Sequence, residues 1–167
     1  MMKVLDNAGC KLGEGALWHP KLKQLFWFDI LNAKLYSHSS DTAYCWTFDE
    51  MVSAAGWVDE EQLIIASERA LLCFNIRSGE LNELVPLEAD NKVTRSNDGR
   101  ADPWGGFWIG TMGKKAEPGA GAIYRYFNGE LQVGFRYNNQ QCYLFCTGSQ
   151  LCLLHRYPDT QSDAPTA

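Results

Sequence analysis

A unit that recurs three times constrains this chain more than any other feature. A short apolar segment, a polar turn and a second apolar segment run from Ala16 to Ile30, again from Ala55 to Ala66, and again from Arg100 to Gly110. The anchors Trp18, Trp57 and Ala101 fall ~40 residues apart, the spacing of a repeat built from several strands. Between the anchors further strands are legible. Lys34–Ser37 precedes Ala43–Phe48. Leu71–Ile76 turns at Ser78-Gly79 into Glu80–Val85, and Gly121–Tyr126 turns at Asn128-Gly129 into Glu130-Leu131. Asn-Gly favours a two-residue type I′ hairpin, because both central residues need positive φ. No helical periodicity of useful length is present. The reading is all-β, with about three four-stranded blades of a β-propeller over residues 1–131.

Three blades form only part of a ring, since closure takes ~4–8 and an open stack leaves sheet edges and blade faces bare. The expectation is half of a domain, with low stability when it stands alone. A net charge of -5 argues against a nucleic-acid partner, which calls for a basic face. No apolar run approaches the ~20 residues of a membrane span. Met1–Cys10 contains no apolar signal core, so no membrane partner and a cytoplasmic location are expected. Cys10, Cys45 and Cys73 stand singly in strand-like text and are expected as buried free thiols, not metal ligands. His19, His38 and His155 are too scattered for a zinc site.

The most specific text is RSNDGRADPWGGFWIGTM, Arg95 to Met112, read as a Gly-punctuated polar loop leading into an aromatic strand. Polar groups on loops of a rigid scaffold are where binding and catalysis concentrate. With its spacing RxNDGxxDPxGxxWxGTM, this stretch resembles the gluconolactonase family of regucalcin-like (senescence-marker) lactonases. General blade resemblance covers Gly13 to about Leu131. It implies a six-bladed propeller that hydrolyses sugar lactones with one divalent metal, calcium or zinc, in its channel.

On that resemblance Glu14, within Leu12–Trp18, is a metal ligand. Hard ions take oxygen donors, and a carboxylate between two glycines has room to turn into a channel. Arg95 and Asn97 match the substrate-contacting pair. A planar guanidinium and an amide offering donor and acceptor suit the hydroxyls and ring oxygen of a lactone. Lys115 lies where some members carry an acidic substrate contact. The bland readings are an exposed turn Glu, a solvated Lys, and Asn97-Asp98-Gly99 as turn chemistry. Asp98 and Asp102 are read mainly as turn residues, with Asp102-Pro103 a loop staple, Trp104 and Trp108 core, and Asp29 a strand-end residue bonded to backbone. No nucleophile elbow or phosphate loop is present. The general-base Asp of the family has no counterpart, so no catalytic residue is assigned and the chain by itself is expected to be inactive. Two other readings are a calcium-binding regulatory protein without catalysis and a propeller interaction module.

Residues 132–167 read differently. No Trp occurs there, no acid precedes Asp159, and Cys142, Cys146 and Cys152 crowd together. Back-translating from Arg136 with permitted codons and dropping one base yields DITISNAICSAP, close to the family's continuation. The expectation is a frameshifted, prematurely ended tail without homology to the blades.

Overall fold

The computed structural model describes residues 4–40, 42–136, 144–147 and 150–153. Twelve strands form three antiparallel four-stranded meanders. The first contains β1 (Gly13–His19), β2 (Gln24–Asp29), β3 (Lys34–His38) and β4 (Ala43–Thr47). The second contains β5 (Val52–Trp57), β6 (Gln62–Ser67), β7 (Ala70–Asn75) and β8 (Leu81–Pro86). The third contains β9 (Thr94–Ala101), β10 (Phe107–Gly113), β11 (Ala122–Phe127) and β12 (Glu130–Arg136). A short hairpin, β13 (Leu144–Thr147) with β14 (Gln150–Leu153), follows. The all-β blade reading therefore holds. At the Asn128-Gly129 turn both residues have positive φ, 51° and 83°, as a type I′ turn requires. The third blade ends on β12, whose pairing with β11 continues past residue 131 to Ala122–Arg136.

The first strand of each blade lies innermost, with β5 packed between β1 and β9. Alternation gives each sheet two apolar faces, and the faces of neighbouring blades supply the core. Phe26, Phe28 and Leu35 of the first blade meet Val52, Leu63, Ile65 and Phe74 of the second. Ala54, Ile64 and Ala66 of the second meet Phe107, Ile109 and Tyr124 of the third. Burying each large side chain contributes about 1.5–3 kcal/mol, so these junctions are the main stabilising terms.

All three inner strands carry one residue more than their partners. Glu14 faces Phe28 and Leu17 faces Phe26, so Gly15 and Ala16 oppose Trp27. Val52 faces Ser67 and Ala54 faces Ala66, which leaves Ser53 as the extra residue. Ser96 faces Thr111 and Gly99 faces Ile109, so Asn97 and Asp98 oppose Gly110. Such bulges bend a strand and re-aim its side chains. Here they also bring the inner strands together. Ser53 Oγ donates to Ser96 Oγ at 2.8 Å, and Ser96 Oγ reaches Ala66 O at 3.3 Å. Gly15 adopts φ +63°, and a Cβ there would sit 2.3 Å from Ser53 O and 2.9 Å from Phe28 Cδ2. Only glycine fits.

At the opposite end, the β1–β2, β5–β6 and β9–β10 turns each have one side-chain acceptor, buried at His19 and Asp102 and exposed at Asp59. His19 Nδ1 accepts from Leu22 N at 3.2 Å while its Nε2 donates to Asp59 O at 2.8 Å, fixing the neutral tautomer. Asp59 Oδ1 accepts from Glu61 N and Gln62 N, both at 2.8 Å. Asp102 Oδ1 accepts from Trp104 N and Gly106 N, and Oδ2 from Trp108 Nε1 and Arg125 Nε. This is the staple expected of Asp102-Pro103. Trp104 is a correction: it was expected in the core, but it is 66% exposed because the turn points it outward. Asp29 is fully buried and binds the N–H groups of Lys11 and Leu12 and the amide of Asn32, as a strand-end residue should. The thiols also differ from expectation. Cys45 is exposed on the edge strand β4, and Cys10 and Cys73 are only partly covered.

Two outcomes follow from this packing. Gly15→Ala should lower stability on the order of 2 kcal/mol or more, read as a shift of the urea midpoint, because both the positive φ and the carbonyl of the next blade oppose a methyl. Burial by itself pushes the Asp29 and Asp102 carboxyls up, but their donors outweigh it and hold both below the ordinary 3.8. A depressed folded pKa gives stability that is present above the unfolded value and lost as pH falls through the folded one. The urea midpoint should thus fall as pH drops below 3.8, and Asp102→Asn should flatten that acid limb while lowering stability at neutral pH.

Candidate functional site

Antiparallel register places the starts of β1, β5 and β9 at one end of the blades, beside the β2–β3, β6–β7 and β10–β11 connections. Glu14 and Arg95 both lie here, Glu14 opposite Phe28 and Arg95 opposite Met112. Residues 95–101 were expected as loop; they form strand β9, with only the Asp102–Gly106 segment turning. Asn97-Asp98-Gly99 is therefore not a turn. Asn97 and Asp98 are the bulge of the inner strand, and pairing with β10 at Ser96 before it and Gly99 after it holds Asn97 more rigidly than a loop would.

Arg95 is 7% exposed. Its Nη1 donates to Ser96 O at 2.8 Å and to Asn97 Oδ1 at 3.0 Å. These bonds fix the guanidinium against its own strand. They also occupy the Asn97 carbonyl, so the Asn97 Nδ2 hydrogens remain as donors. Among the described residues no protein acceptor takes the other Arg95 N–H groups, and no buried polar side-chain atom lacks a partner, so those groups open to solvent. The pair is a donor-rich patch, matched to acceptor oxygens. Burial lowers the affinity of Arg95 for its proton, and the charges of Glu14 and Glu68 oppose that loss. The guanidinium stays charged throughout the physiological range.

Asp98, the second bulge residue, accepts from Gly99 N at 2.8 Å, its one side-chain hydrogen bond among the described residues. Burial pushes its carboxyl up, against that bond and the Arg100 charge. Lys115 is exposed on the segment after β10, where its backbone N donates to Glu117 Oε2 at 2.9 Å. The structure thus joins Arg95 and Asn97 directly, sets Glu14 within electrostatic reach of Arg95, and leaves Lys115 at the periphery.

Glu68 and Lys114 are two charged groups that the sequence did not single out. The Lys114 ammonium pairs with the Glu68 carboxylate across the junction of the second and third blades. Arg69 pairs with Glu50 at 2.5 Å. Both pairs line a cleft of about 570 Å³ together with Asn91 and Lys92. No spacing rule connects Glu68 to Lys114, so only the fold could bring them together.

The implied metal can be tested against these residues. Among the described residues no three His, Cys, Asp or Glu side chains converge to hold an ion. Glu14 is one exposed carboxylate, whereas calcium takes ~6–8 oxygen ligands. This part of the chain does not form a metal centre by itself.

Comparison with known proteins gives the family. Residues 12–142 match the SMP-30/Gluconolactonase/LRE-like region. A putative sugar lactone lactonase of Rhizobium meliloti is 36% identical over 73% of this chain and 42% of its own length. The L-arabinolactonase of Azospirillum brasilense is 34% identical over 73% of the chain and 42% of its length. A 6-deoxy-6-sulfogluconolactonase of Pseudomonas putida aligns at 25% identity over 98% of the chain and 60% of its length. In structure, the calcium-binding protein regucalcin of Agrobacterium tumefaciens superposes with a TM-score of 0.77 at 37% identity, over 80% of this chain and 46% of that one. Such neighbours are six-bladed propellers, of which this chain supplies three blades. The chain spans about two fifths of the length of the R. meliloti and A. brasilense relatives. With the inner-strand Arg-x-Asn motif in the place and conformation described, the chain belongs to the SMP-30/gluconolactonase family.

Proposed function

We propose that these blades are the N-terminal half of a metal-dependent sugar-lactone hydrolase that converts an aldonolactone to its aldonic acid. The observation carrying this reading is the Arg95–Asn97 bond. It commits the amide oxygen of Asn97 and leaves N–H donors of both residues outward, where they suit the ring and carbonyl oxygens of a lactone. The relatives named for sugar lactones support the same substrate class. Lys115 is a peripheral substrate contact on this reading. Glu14 is the carboxylate that this half offers to a divalent ion, calcium or zinc.

The described residues supply neither further ligands nor a general base, so turnover belongs to the completed propeller. What this half does is bind and orient. A lost donor to a bound ligand is worth about 1.5–3 kcal/mol when charge-assisted, or roughly 10–100-fold in affinity.

We further propose that residues 132–167 are the family's continuation read in a shifted frame. The match to the family ends at residue 142, a few residues beyond the Arg136 shift point. Sequencing the coding DNA through this stretch on both strands tests it. The expected result is one base whose correction restores an open frame through a SNAIC-like segment. An intact frame overturns the shift and makes the tail a true continuation, as the P. putida alignment over 98% of the chain would then express.

The corrected protein should hydrolyse L-arabinono- or D-gluconolactone in a pH-stat assay, with Arg95→Ala and Asn97→Ala each lowering kcat/KM ~10–100-fold. Unchanged activity in both variants would instead favour an interaction module. The 167-residue chain should show no turnover above background. By calorimetry it should bind calcium no more tightly than ~1 mM, the weak end of protein sites, because Glu14 stands alone. Tight calcium binding without hydrolysis would favour the regulatory reading.

A further inference from the structure

We propose that Glu68, carried by the second blade, is a positioning residue of the lactone site. It joins Lys114 across the blade junction and sets the Arg95 guanidinium and the segment bearing Lys115 as one unit. The inference rests on the lactone reading above and adds a charged residue from the second blade.

The geometry begins with Arg95. It is a buried cation whose hydrogen bonds go to a carbonyl and an amide oxygen, not to a carboxylate. A buried charge without a counter-ion is unfavourable unless a nearby charge compensates. Glu14 and Glu68 are the two carboxylates that act on it. Glu14 is exposed at the start of β1, where water screens it. Glu68 is only 19% exposed on the β6–β7 turn, so its field is screened less.

Glu68 is also tied mechanically to the site. Its carboxylate holds the Lys114 ammonium, and Lys114 N donates to Val93 O at 2.9 Å, just before β9. Gly113 pairs with Thr94, and Met112 with Arg95. One residue after Lys114 comes Lys115, fixed through its own N–H to Glu117. The β6–β7 turn, the end of β10 and the start of β9 therefore meet at the Glu68–Lys114 pair. That pair also forms part of the wall of the 570 Å³ cleft. A blade-to-blade tie placed elsewhere would add stability equally well; placed here, it also determines where Arg95 presents its free donors.

The test uses the 167-residue chain, ¹⁵N-labelled at low temperature, and compares wild type with Glu68→Gln, Glu68→Asp and Lys114→Met. Two signals are followed: the Arg95 Nε–H resonance without ligand, and the Asn97 side-chain amide during titration with L-arabinono-1,4-lactone. Glu68→Gln is expected to move the Arg95 resonance and to weaken the lactone response about fivefold, the size of a ~1 kcal/mol coupling. Glu68→Asp should recover part of both. Lys114→Met should weaken the lactone response while leaving the Glu68 charge near Arg95. If Glu68→Gln lowers the melting temperature but leaves both signals unmoved, Glu68 is only a structural tie and the proposal fails. If the Arg95 resonance moves but the wild-type Asn97 amide ignores the lactone, the lactone reading itself falls, and this role with it.

Discussion

Everything at the functional end depends on how closely the three inner strands approach. Gly15 lies against the carbonyl of Ser53, and the Ser53 hydroxyl bonds that of Ser96. These contacts leave no room for a side chain at one position and only a hydroxyl at the next two. Each inner strand meets them with an extra residue, so the bulges at Gly15-Ala16, Ser53 and Asn97-Asp98 are one device used three times. A bulge bends its strand and turns the flanking side chains. In β9 that is what places Asn97 beside Arg95 Nη1.

The two ends of the blades divide the work. At one end His19, Asp59 and Asp102 tie down turns by accepting backbone N–H groups, and Asp102 adds Arg125 and Trp108. These residues stabilise and touch no candidate ligand. At the other end the charged groups are less committed: among the described residues Arg95 keeps donors without a protein acceptor, Glu14 is exposed, and Asp98 has a single hydrogen bond. Polar groups left without full internal partners are available for recognition, whereas those fully paired are spent on the fold.

The same asymmetry explains why the described residues gather a donor-rich pair at one end and no cluster of metal-ligating side chains. A propeller channel is lined by the inner strands of all its blades, so ligands to a central ion must come from around the ring. At this end the described inner strands carry the Glu14 and Asp98 carboxylates and one guanidinium-amide pair. Arg95 and Asn97 are complete in themselves because both come from one strand. The metal set is not, because it would have to be assembled from several.

Local sequence determined much of this protein. The blade count, the strand pairs, the Asn128-Gly129 turn and the Asp29 and Asp102 staples follow from short-range patterns, since strand alternation and turn chemistry act over a few residues. The RSNDGRADP stretch carries the family resemblance that singled out Arg95 and Asn97, which the fold then joins by a hydrogen bond. Other features needed the assembled fold. Residues 95–101 are strand and not loop because β10 supplies their pairing, and Trp104 is outside because the Asp102 turn points it there. Cys45 is exposed because β4 is an edge. Glu68 meets Lys114, 46 residues away, only because two blades pack face to face. Contacts between blades connect residues with no fixed sequence spacing, and that is why only the tertiary structure decides them.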